Sequence, residues 1–199
     1  METKQRILNT AESLFMRYGI KSVTMDDVSR ELGISKKTLY QYVDNKKDLI
    51  ANVLAASIES EKVVMQQIQA ESTNAIDEML RIARHVTQKL REFNPGAVYD
   101  LQKYYREAWE LMEAFHEHYI FATIKGNIER GQTEGYYRPA ANPDIIARLY
   151  VGKTFDLVDE SNFPLARYNR QNLFQEYIFY HLRGIASAKG LKLLEKYCQ

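Results

Sequence analysis

Residues 24–42 read TMDDVSRELGISKKTLYQY, in which two short helical patterns meet at Gly33. Thr24 and Ser35 precede the two patterns, and a hydroxyl at either position can accept a hydrogen bond from the backbone at the start of a helix. Gly33 can adopt the left-handed conformation that a turn between the helices requires. The stretch therefore predicts a helix-turn-helix, a motif whose second helix enters the major groove of duplex DNA.

Further helices are expected on both sides of this motif. Asn45 and Asp48 resemble a capping pair, which predicts a helix from Lys46 into residues 59–69 that links a head to a body. Before the motif, an apolar stripe with helical spacing must be buried against another element, so we expect it to complete a three-helix head. The residues of this stripe are Ile7, Leu8, Ala11, Leu14, Phe15 and Tyr18.

The whole chain predicts an all-α protein. Its 199 residues include nine glycines and four prolines, with no Asn-Gly or Asp-Gly hairpin turn and no long alternation of apolar and polar residues. We divide the chain into a helix-turn-helix DNA-binding domain at residues 1–50 and a larger helical-bundle domain at residues 51–199. Helical patterns in the second domain cover residues 73–91, 95–105, 108–130, 144–159 and 170–188.

Cysteine content and hydropathy indicate a cytoplasmic protein. Cys198 is the single cysteine and has no partner for an internal disulfide, which suits a reducing compartment. The N-terminus is polar and lacks the apolar segment of a signal peptide. No stretch offers the roughly 18 uninterrupted apolar residues of a membrane span.

The lysines of the head are concentrated at two predicted helix starts. Lys36–Lys37 opens the second helix of the motif and Lys46–Lys47 opens the helix that follows, although each lysine there opposes the helix dipole by about 0.3 to 1 kcal/mol. A solvated surface is the ordinary explanation of a lysine pair. Here threonine and tyrosine hydroxyls of residues 38–42 lie between the pairs, and lysines and hydroxyls supply most phosphate contacts in protein–DNA interfaces. The placement therefore predicts DNA contact.

Residues 7–54 contain a series of short motifs in a distinctive order and spacing. They are Ala11-Glu12-Ser13-Leu14-Phe15, Tyr18-Gly19, Thr24-Met25-Asp26-Asp27-Val28, Leu32-Gly33-Ile34-Ser35, Thr38-Leu39-Tyr40-Gln41-Tyr42-Val43 and Asn45-Lys46-Lys47-Asp48-Leu49. With these motifs the stretch resembles the N-terminal domain of the TetR family of bacterial transcriptional regulators. Val43 departs from the pattern, since the family often has an aromatic residue there.

The resemblance implies which residues of the head contact DNA. The residues expected to hold operator phosphates are Thr24, Tyr40, Tyr42 and Lys46. The residues expected to read base edges are Lys36, Lys37 and Thr38. Because a lysine in the major groove prefers guanine O6 and N7, we expect half-sites that contain G·C pairs.

The resemblance also implies that residues 51–199 form a ligand-binding and dimerisation domain. Residues 128–138 fit Ile-x-x-Gly-x-x-x-Gly-x-Tyr-Arg, which looks like the turn after a central body helix in many members. The expected function is a ligand-responsive repressor that binds a palindromic double-stranded DNA operator as a homodimer and is released by a small-molecule inducer. A dimer is also expected on physical grounds, since a single short recognition helix binds its half-site weakly.

Aromatic residues are concentrated in the middle of the chain. Such side chains would suit a pocket for an apolar or aromatic ligand, but aromatic residues at helical spacing also form ordinary cores. The candidates for ligand binding are Tyr99, Tyr104, Tyr105, Trp109 and Phe115.

The predicted helices 144–159 and 170–188 are candidates for a four-helix dimer interface. Each apolar residue on them fits an internal core equally well. The residues concerned are Leu149, Phe155, Leu157, Leu173, Tyr177, Ile178, Tyr180, His181 and Ile185.

Nothing in the sequence predicts catalysis, a cofactor or a metal site. His116 and His118 are two residues apart, so on a helix they point in different directions and do not chelate one ion without further ligands. A phosphate-binding loop, a nucleophile elbow and a His-Glu-x-x-His motif are absent. One alternative to a ligand sensor stays open, a TetR-like DNA-binding protein that is regulated by a protein partner instead of a small molecule.

Overall fold

The computed structural model describes residues 2–91 and 95–197 and is all-α, as the sequence predicts. No β-strand forms within these ranges, although Tyr137 and Ala186 make an isolated antiparallel bridge. Cys198 lies outside the described residues. None of the described helices has the length and apolar character needed to cross a membrane.

Most of the helices follow one another with short connections, and the longer connections lie before and after α9. In chain order they are α1 Glu2–Tyr18, α2 Met25–Leu32, α3 Lys36–Leu39, α4 Lys46–Glu71, α5 Ala75–Lys89, α6 Pro95–Tyr104, α7 Arg106–Ala114, a π-helical segment Phe115–Ile120, α8 Phe121–Thr133, α9 Pro143–Thr154, α10 Arg170–Ile185 and α11 Ala188–Tyr197.

Three predicted body helices have wrong boundaries. The helix predicted at 108–130 is divided by the π-helical segment, and the one predicted at 144–159 ends at Thr154. The helix predicted at 170–188 ends at Ile185 because Ala186 is extended and pairs with Tyr137. α11 follows in a region where the sequence pattern predicts no helix.

The chain folds into two compact units. The first comprises Met1–Lys62 and Glu92–Phe115, and the second comprises Val63–Arg91 and His116–Gln199. α4 contributes residues to both units. These units are defined by packing, so the functional boundary at residue 50 stays a prediction.

The first unit contains the head. α1 packs on α2, and α2 packs on α3, so most of the apolar stripe of α1 is buried in the core of the head as predicted. The prediction is wrong for Tyr18, which is 52% exposed at the end of the helix. Leu101 of α6 and Ala108 of α7 belong to the same core. The other buried members include Ile7, Ala11, Phe15, Val28, Leu39, Val43 and Leu49.

The second unit has a core of its own. α5 packs on α8 and α10, and α8 packs on α9. Ile178, His181 and Ile185, which the sequence left between core and dimer interface, are buried in this unit. The core also includes Met79, Ile82, Ile124, Ile128, Tyr137 and Leu182.

An ion pair between a partly buried arginine and a fully buried glutamate connects α5 to α8 in the second unit. The Arg130 guanidinium donates from Nε to Glu134 Oε1 at 2.7 Å, from Nη1 to Glu78 Oε2 at 3.1 Å and from Nη2 to the Ser72 carbonyl at 2.9 Å. Glu78 is completely buried, and burial raises the pKa of its carboxyl against the opposing effect of Asn127 and Arg130. Every nitrogen of this guanidinium has an acceptor, which is the usual condition for burying a charge.

The glycine at position 131 makes room for a buried tyrosine. The Tyr137 hydroxyl donates to Asn127 Oδ1 at 3.1 Å, and its ring covers Gly131 so closely that an added Cβ would lie 2.1 Å from a ring carbon. Gly131, the first glycine of the motif at residues 128–138, is therefore required because the Tyr137 ring packs directly on it.

We expect Gly131→Ala to lower the free energy of unfolding by about 1–3 kcal/mol or more, because the methyl group forces Tyr137 out of its site. Gly126→Ala is the matched control in the same helix, since its Cβ would meet nothing within 4 Å. The control should be neutral or gain up to about 1 kcal/mol of helix stability. Urea unfolding measures both, and equal stability of the two variants would contradict this packing.

Candidate nucleic-acid interface

The start of α2 is held by reciprocal hydrogen bonds between Thr24 and Asp27. The Asp27 backbone N–H donates to the Thr24 hydroxyl at 3.2 Å, and Asp27 Oδ2 accepts from the Thr24 backbone N–H at 2.9 Å and from its hydroxyl at 2.6 Å. This capping box confirms the predicted N-cap. The same hydrogen bonds hold the pKa of the Asp27 carboxyl below its usual range, with the charges of Arg30 and Lys46 contributing less.

The turn after α2 depends on Gly33. Its φ of 67° is left-handed, and its N–H donates to the Arg30 carbonyl at 3.1 Å while Ile34 N–H donates to the Ser29 carbonyl at 3.0 Å. A Cβ on Gly33 would meet nothing within 4 Å, so the backbone conformation and not space calls for glycine. This turn sets the direction in which α3 leaves α2.

α3 presents the two lysines that the sequence predicts to read bases. Ser35 caps the helix, because its Oγ accepts from the Thr38 backbone N–H at 3.1 Å and lies 2.9 Å from the Thr38 hydroxyl. Lys36 forms an ion pair with Asp26, and both side chains are exposed. Lys37 is exposed and makes no ion pair with any residue that the structure describes. An exposed ion pair contributes little, so Lys36 is free to exchange Asp26 for another acceptor.

Tyr40 and Tyr42 follow α3 in a turn instead of continuing the helix. Their side chains are 47% and 37% exposed, whereas Leu39 beside them is fully buried. Both side chains are therefore accessible to a partner.

Lys46 is engaged inside the first unit. Its ammonium donates to the Lys21 carbonyl at 3.1 Å and lies 5.9 Å from the ring centroid of Tyr105. Partial burial lowers the pKa of the Lys46 ammonium, and the negative charges of Asp100 and Asp27 oppose that effect. An ammonium has three donors, so two remain for a phosphate.

The start of α4 is capped as the sequence predicts. Asn45 Oδ1 accepts from the backbone N–H groups of Lys47 at 2.9 Å and Asp48 at 3.1 Å, while Asp48 Oδ2 accepts from the Asp44 backbone N–H at 2.9 Å. Lys46 is therefore placed by a well-formed helix start.

The predicted ligand-binding residues lie in the first unit. Tyr99 and Tyr104 are exposed, and Lys103 lies over both rings. Tyr105 and Trp109 are half-buried against the core that contains the helix-turn-helix. Phe115 is the last residue of this unit. None of the five belongs to the core of the second unit, and their role toward a ligand stays a prediction.

One connection within the first unit has no local signal in the sequence. Asp100 of α6 accepts a hydrogen bond from the Lys21 backbone N–H at 2.8 Å, and the Lys21 ammonium lies 4.8 Å from the ring centroid of Tyr104. Lys21 in turn accepts from Lys46 through its carbonyl. The loop before α2 is therefore held by α6 and by the start of α4 together.

The two neighbouring histidines lie in the π-helical segment. The His116 ring is 4.4 Å from that of Phe155, centroid to centroid. No group of three or more potential metal-ligating side chains occurs among residues 2–91 and 95–197.

Comparison with known proteins identifies the same part of the chain. Residues 7–53 match the family described as bacterial regulatory proteins, tetR family. The HTH-type transcriptional regulator YvaF of Bacillus subtilis is 28% identical over 162 residues, which cover 81% of this chain and 83% of that protein.

Two solved structures share the fold. A TetR-family transcriptional regulator from Agrobacterium tumefaciens matches with a TM-score of 0.76 at 13% identity, covering 94% of this chain and 98% of its own. A transcriptional regulator from Saccharomonospora viridis in complex with choline matches with a TM-score of 0.74 at 19% identity and the same coverage. Identities this low establish the fold alone.

The capping box makes the stability of the head dependent on pH. Because the folded-state pKa of Asp27 is lowered, its ionised form contributes stability above the unfolded pKa of about 3.9, and this contribution is lost as pH falls through the folded-state pKa. We expect Asp27→Asn to be less stable than the native protein near pH 6, with the difference shrinking toward pH 3.

Chemical denaturation across this pH range measures the effect. Glu31→Gln removes another carboxylate from the same helix, one that makes no hydrogen bond with a described residue, and serves as the matched control. A stability difference for Asp27→Asn that stays constant with pH, or that matches the control, would contradict the capping role.

Proposed function

Because this chain belongs to the TetR family of bacterial regulators, we propose that it is a repressor that binds a palindromic operator as a homodimer and is released by a small-molecule inducer. One observation carries the proposal. The residues that match the family, 7–53, contain a helix-turn-helix whose apolar residues are buried or half-buried and whose lysines and tyrosines on α3 and the turn after it are exposed. The arrangement leaves these cations and hydroxyls exposed on one short segment.

We assign two kinds of DNA contact to this segment. Lys36, Lys37 and Thr38 stand on α3 itself and would meet base edges in the major groove. The residues that would hold phosphates are Thr24, Tyr40, Tyr42 and Lys46. Thr24 donates its hydroxyl to Asp27 in the free protein, so its phosphate contact requires that this bond be exchanged.

A dimer is supported by exposed apolar side chains on the second unit. Ile145 and Leu149 lie one turn apart on α9 and are 55% and 61% exposed, and Tyr180 on α10 is 79% exposed. Residues four apart share one helix face, so α9 presents an apolar stripe to solvent. A second copy of the chain would cover it and set two recognition helices on one duplex.

Ligand response is supported by the packing of the first unit. α6 and α7 share the core of the helix-turn-helix, and Asp100 holds the loop before α2. A ligand that favours a different position of α6 would disturb Lys21 and Lys46. The Saccharomonospora viridis regulator, which has the same fold, was solved in complex with choline, and this supports a small-molecule ligand here. By linkage, an inducer that weakens operator binding must itself bind the operator complex less tightly.

Replacing single lysines should separate the two kinds of contact. A duplex recovered from a random pool by the full chain serves as the operator. Lys36→Ala should reduce discrimination between that duplex and its variants at one base pair by about 1–3 kcal/mol. Lys46→Gln keeps a donor for the Lys21 carbonyl but removes the charge, so it should weaken binding to all duplexes equally. The slope of log K against log salt concentration should become shallower by about 0.9 for each phosphate that the protein no longer neutralises.

Binding curves at several salt concentrations read both effects. Lys192→Gln in α11 removes an exposed lysine remote in sequence from the head and should bind as the native protein does. Lys36→Ala that weakens all duplexes equally, or Lys46→Gln that leaves the salt slope unchanged, would overturn the assignment.

The proposed dimer face predicts a specific loss. Leu149→Glu places a charge in the apolar stripe of α9, so the protein should become monomeric and lose operator binding. Val63→Glu in α4 is a matched control, because Val63 is 62% exposed against 61% for Leu149. Sedimentation velocity measures the oligomeric state, and a Leu149→Glu protein that stays dimeric would show that this face is not the interface.

A further inference from the structure

Arg170 begins α10 and is buried in the second unit, with a relative exposure of 7%. Asn169 caps the helix through a hydrogen bond from the Asn172 N–H to its Oδ1 at 3.0 Å. Arginine is almost never fully buried unless its charge is paired. A buried arginine is therefore expected to have an acceptor for each of its guanidinium nitrogens.

Among the residues that the structure describes, one nitrogen of the Arg170 guanidinium has an acceptor. Nη1 donates to the Val158 carbonyl at 2.9 Å. Nε and Nη2 are buried without a hydrogen-bond partner in this part of the chain, and Glu160 Oε1 lies 3.8 Å from Nη2, beyond hydrogen-bond distance. Arg130 in the same unit differs sharply, since all three of its nitrogens donate to acceptors.

The two unpaired nitrogens lie on one edge of the planar guanidinium. This Nε–Nη2 edge carries two parallel N–H groups, the geometry that grips a carboxylate through two hydrogen bonds. Leaving it empty in a buried position is costly, because each unpaired donor loses its hydration without a replacement. The side chain is therefore shaped for an acceptor that neither Val158 nor Glu160 supplies.

The position of Arg170 on α10 adds a second argument. The helix has 16 residues, and its N-terminus carries a partial positive charge that disfavours a cation and favours an anion. Burial lowers the pKa of the guanidinium and Glu160 opposes this effect, but arginine remains charged. The Arg170 charge therefore stands at a helix start that disfavours a cation, and an anion bound to the guanidinium would offset this unfavourable interaction.

Apolar residues stand near Arg170 on α10 and beside Val158 in the chain. Phe174 lies one turn along the same face of α10 and is buried in the core, with Tyr177 and Leu157 half-buried against that core. An acceptor suited to this setting has an anionic end and an apolar remainder.

We propose that the Nε–Nη2 edge of Arg170 binds the carboxylate of an organic acid with an apolar body, and that the Glu160 carboxylate competes with it for this edge. The inference rests on the proposed function, in which this acid is the inducer. It places the ligand in the second unit at α10.

Paired probes with and without a carboxylate test the assignment. Decanoate and 4-phenylbutyrate are compared with decanol and 4-phenylbutan-1-ol by calorimetric titration of the full chain. At least one acid should bind with an affinity at least about tenfold above that of its alcohol, since a charge-assisted hydrogen bond has that magnitude.

Three variants separate recognition from a purely structural role. Arg170→Lys keeps a cation and a donor for the Val158 carbonyl but lacks the two-pronged edge, so acid binding should weaken about tenfold or more. Arg170→Met removes both the charge and the donors, so it should lose acid binding even if the lysine variant still binds the acid as a point charge. Glu160→Gln removes the competing charge and should bind the acid more tightly, by about threefold or more.

The outcomes are decisive in both directions. The inference would be overturned if neither acid binds, or if acids and alcohols bind equally well. It would also be overturned if Arg170→Lys and Arg170→Met bind the acid as tightly as the native protein does, or if Glu160→Gln binds it more weakly. Operator binding by the same preparations is measured separately. If the protein binds the operator but neither acid, the carboxylate site is overturned and operator binding stands. If it binds an acid but no operator, the carboxylate site stands and the proposed repressor function is overturned.

Discussion

Burial of Leu39 is the contact on which the head depends. α3 has only four residues, far fewer than a helix needs to persist in water by itself. It is held by one fully buried side chain, by the Ser35 cap at its start and by the left-handed Gly33 before it. Because these three residues supply the order, the remaining positions on α3 are free to carry cations and hydroxyls. Gly33, Ser35 and Leu39 thus fix the helix, and the lysines between Ser35 and Leu39 are exposed.

Local features of the head were predictable from the sequence, and distant ones were not. The caps at Thr24, Ser35 and Asn45 and the turn at Gly33 depend on residues within a few positions of one another, so pattern and spacing reveal them. The hydrogen bond from the Lys21 backbone to Asp100 joins residues 79 positions apart. No local pattern encodes this contact.

The body shows the same limit in another form. Amphipathic periodicity located its helices, but a π-helical segment and a bridge between Tyr137 and Ala186 decided where two of them end. The aromatic residues from Tyr99 to Phe115 were candidates for a pocket by composition. Two of them, Tyr105 and Trp109, pack against the core that contains the helix-turn-helix. Arg170 carried a usable signal, because a cation that begins a helix opposes the dipole. The same criterion singled out Lys36 and Lys46, and burial distinguishes the arginine from the lysines.

A hydroxyl-radical footprint of the full chain on a duplex selected from a random pool would show whether the protein binds an operator as a dimer. A homodimer with one recognition helix per chain should protect two backbone patches related by a two-fold axis, with half-sites about one helical turn or a multiple apart. The recovered sequence should be an inverted repeat with G·C pairs in each half. A single protected patch, or protection that does not depend on sequence, would contradict a dimeric operator-binding regulator.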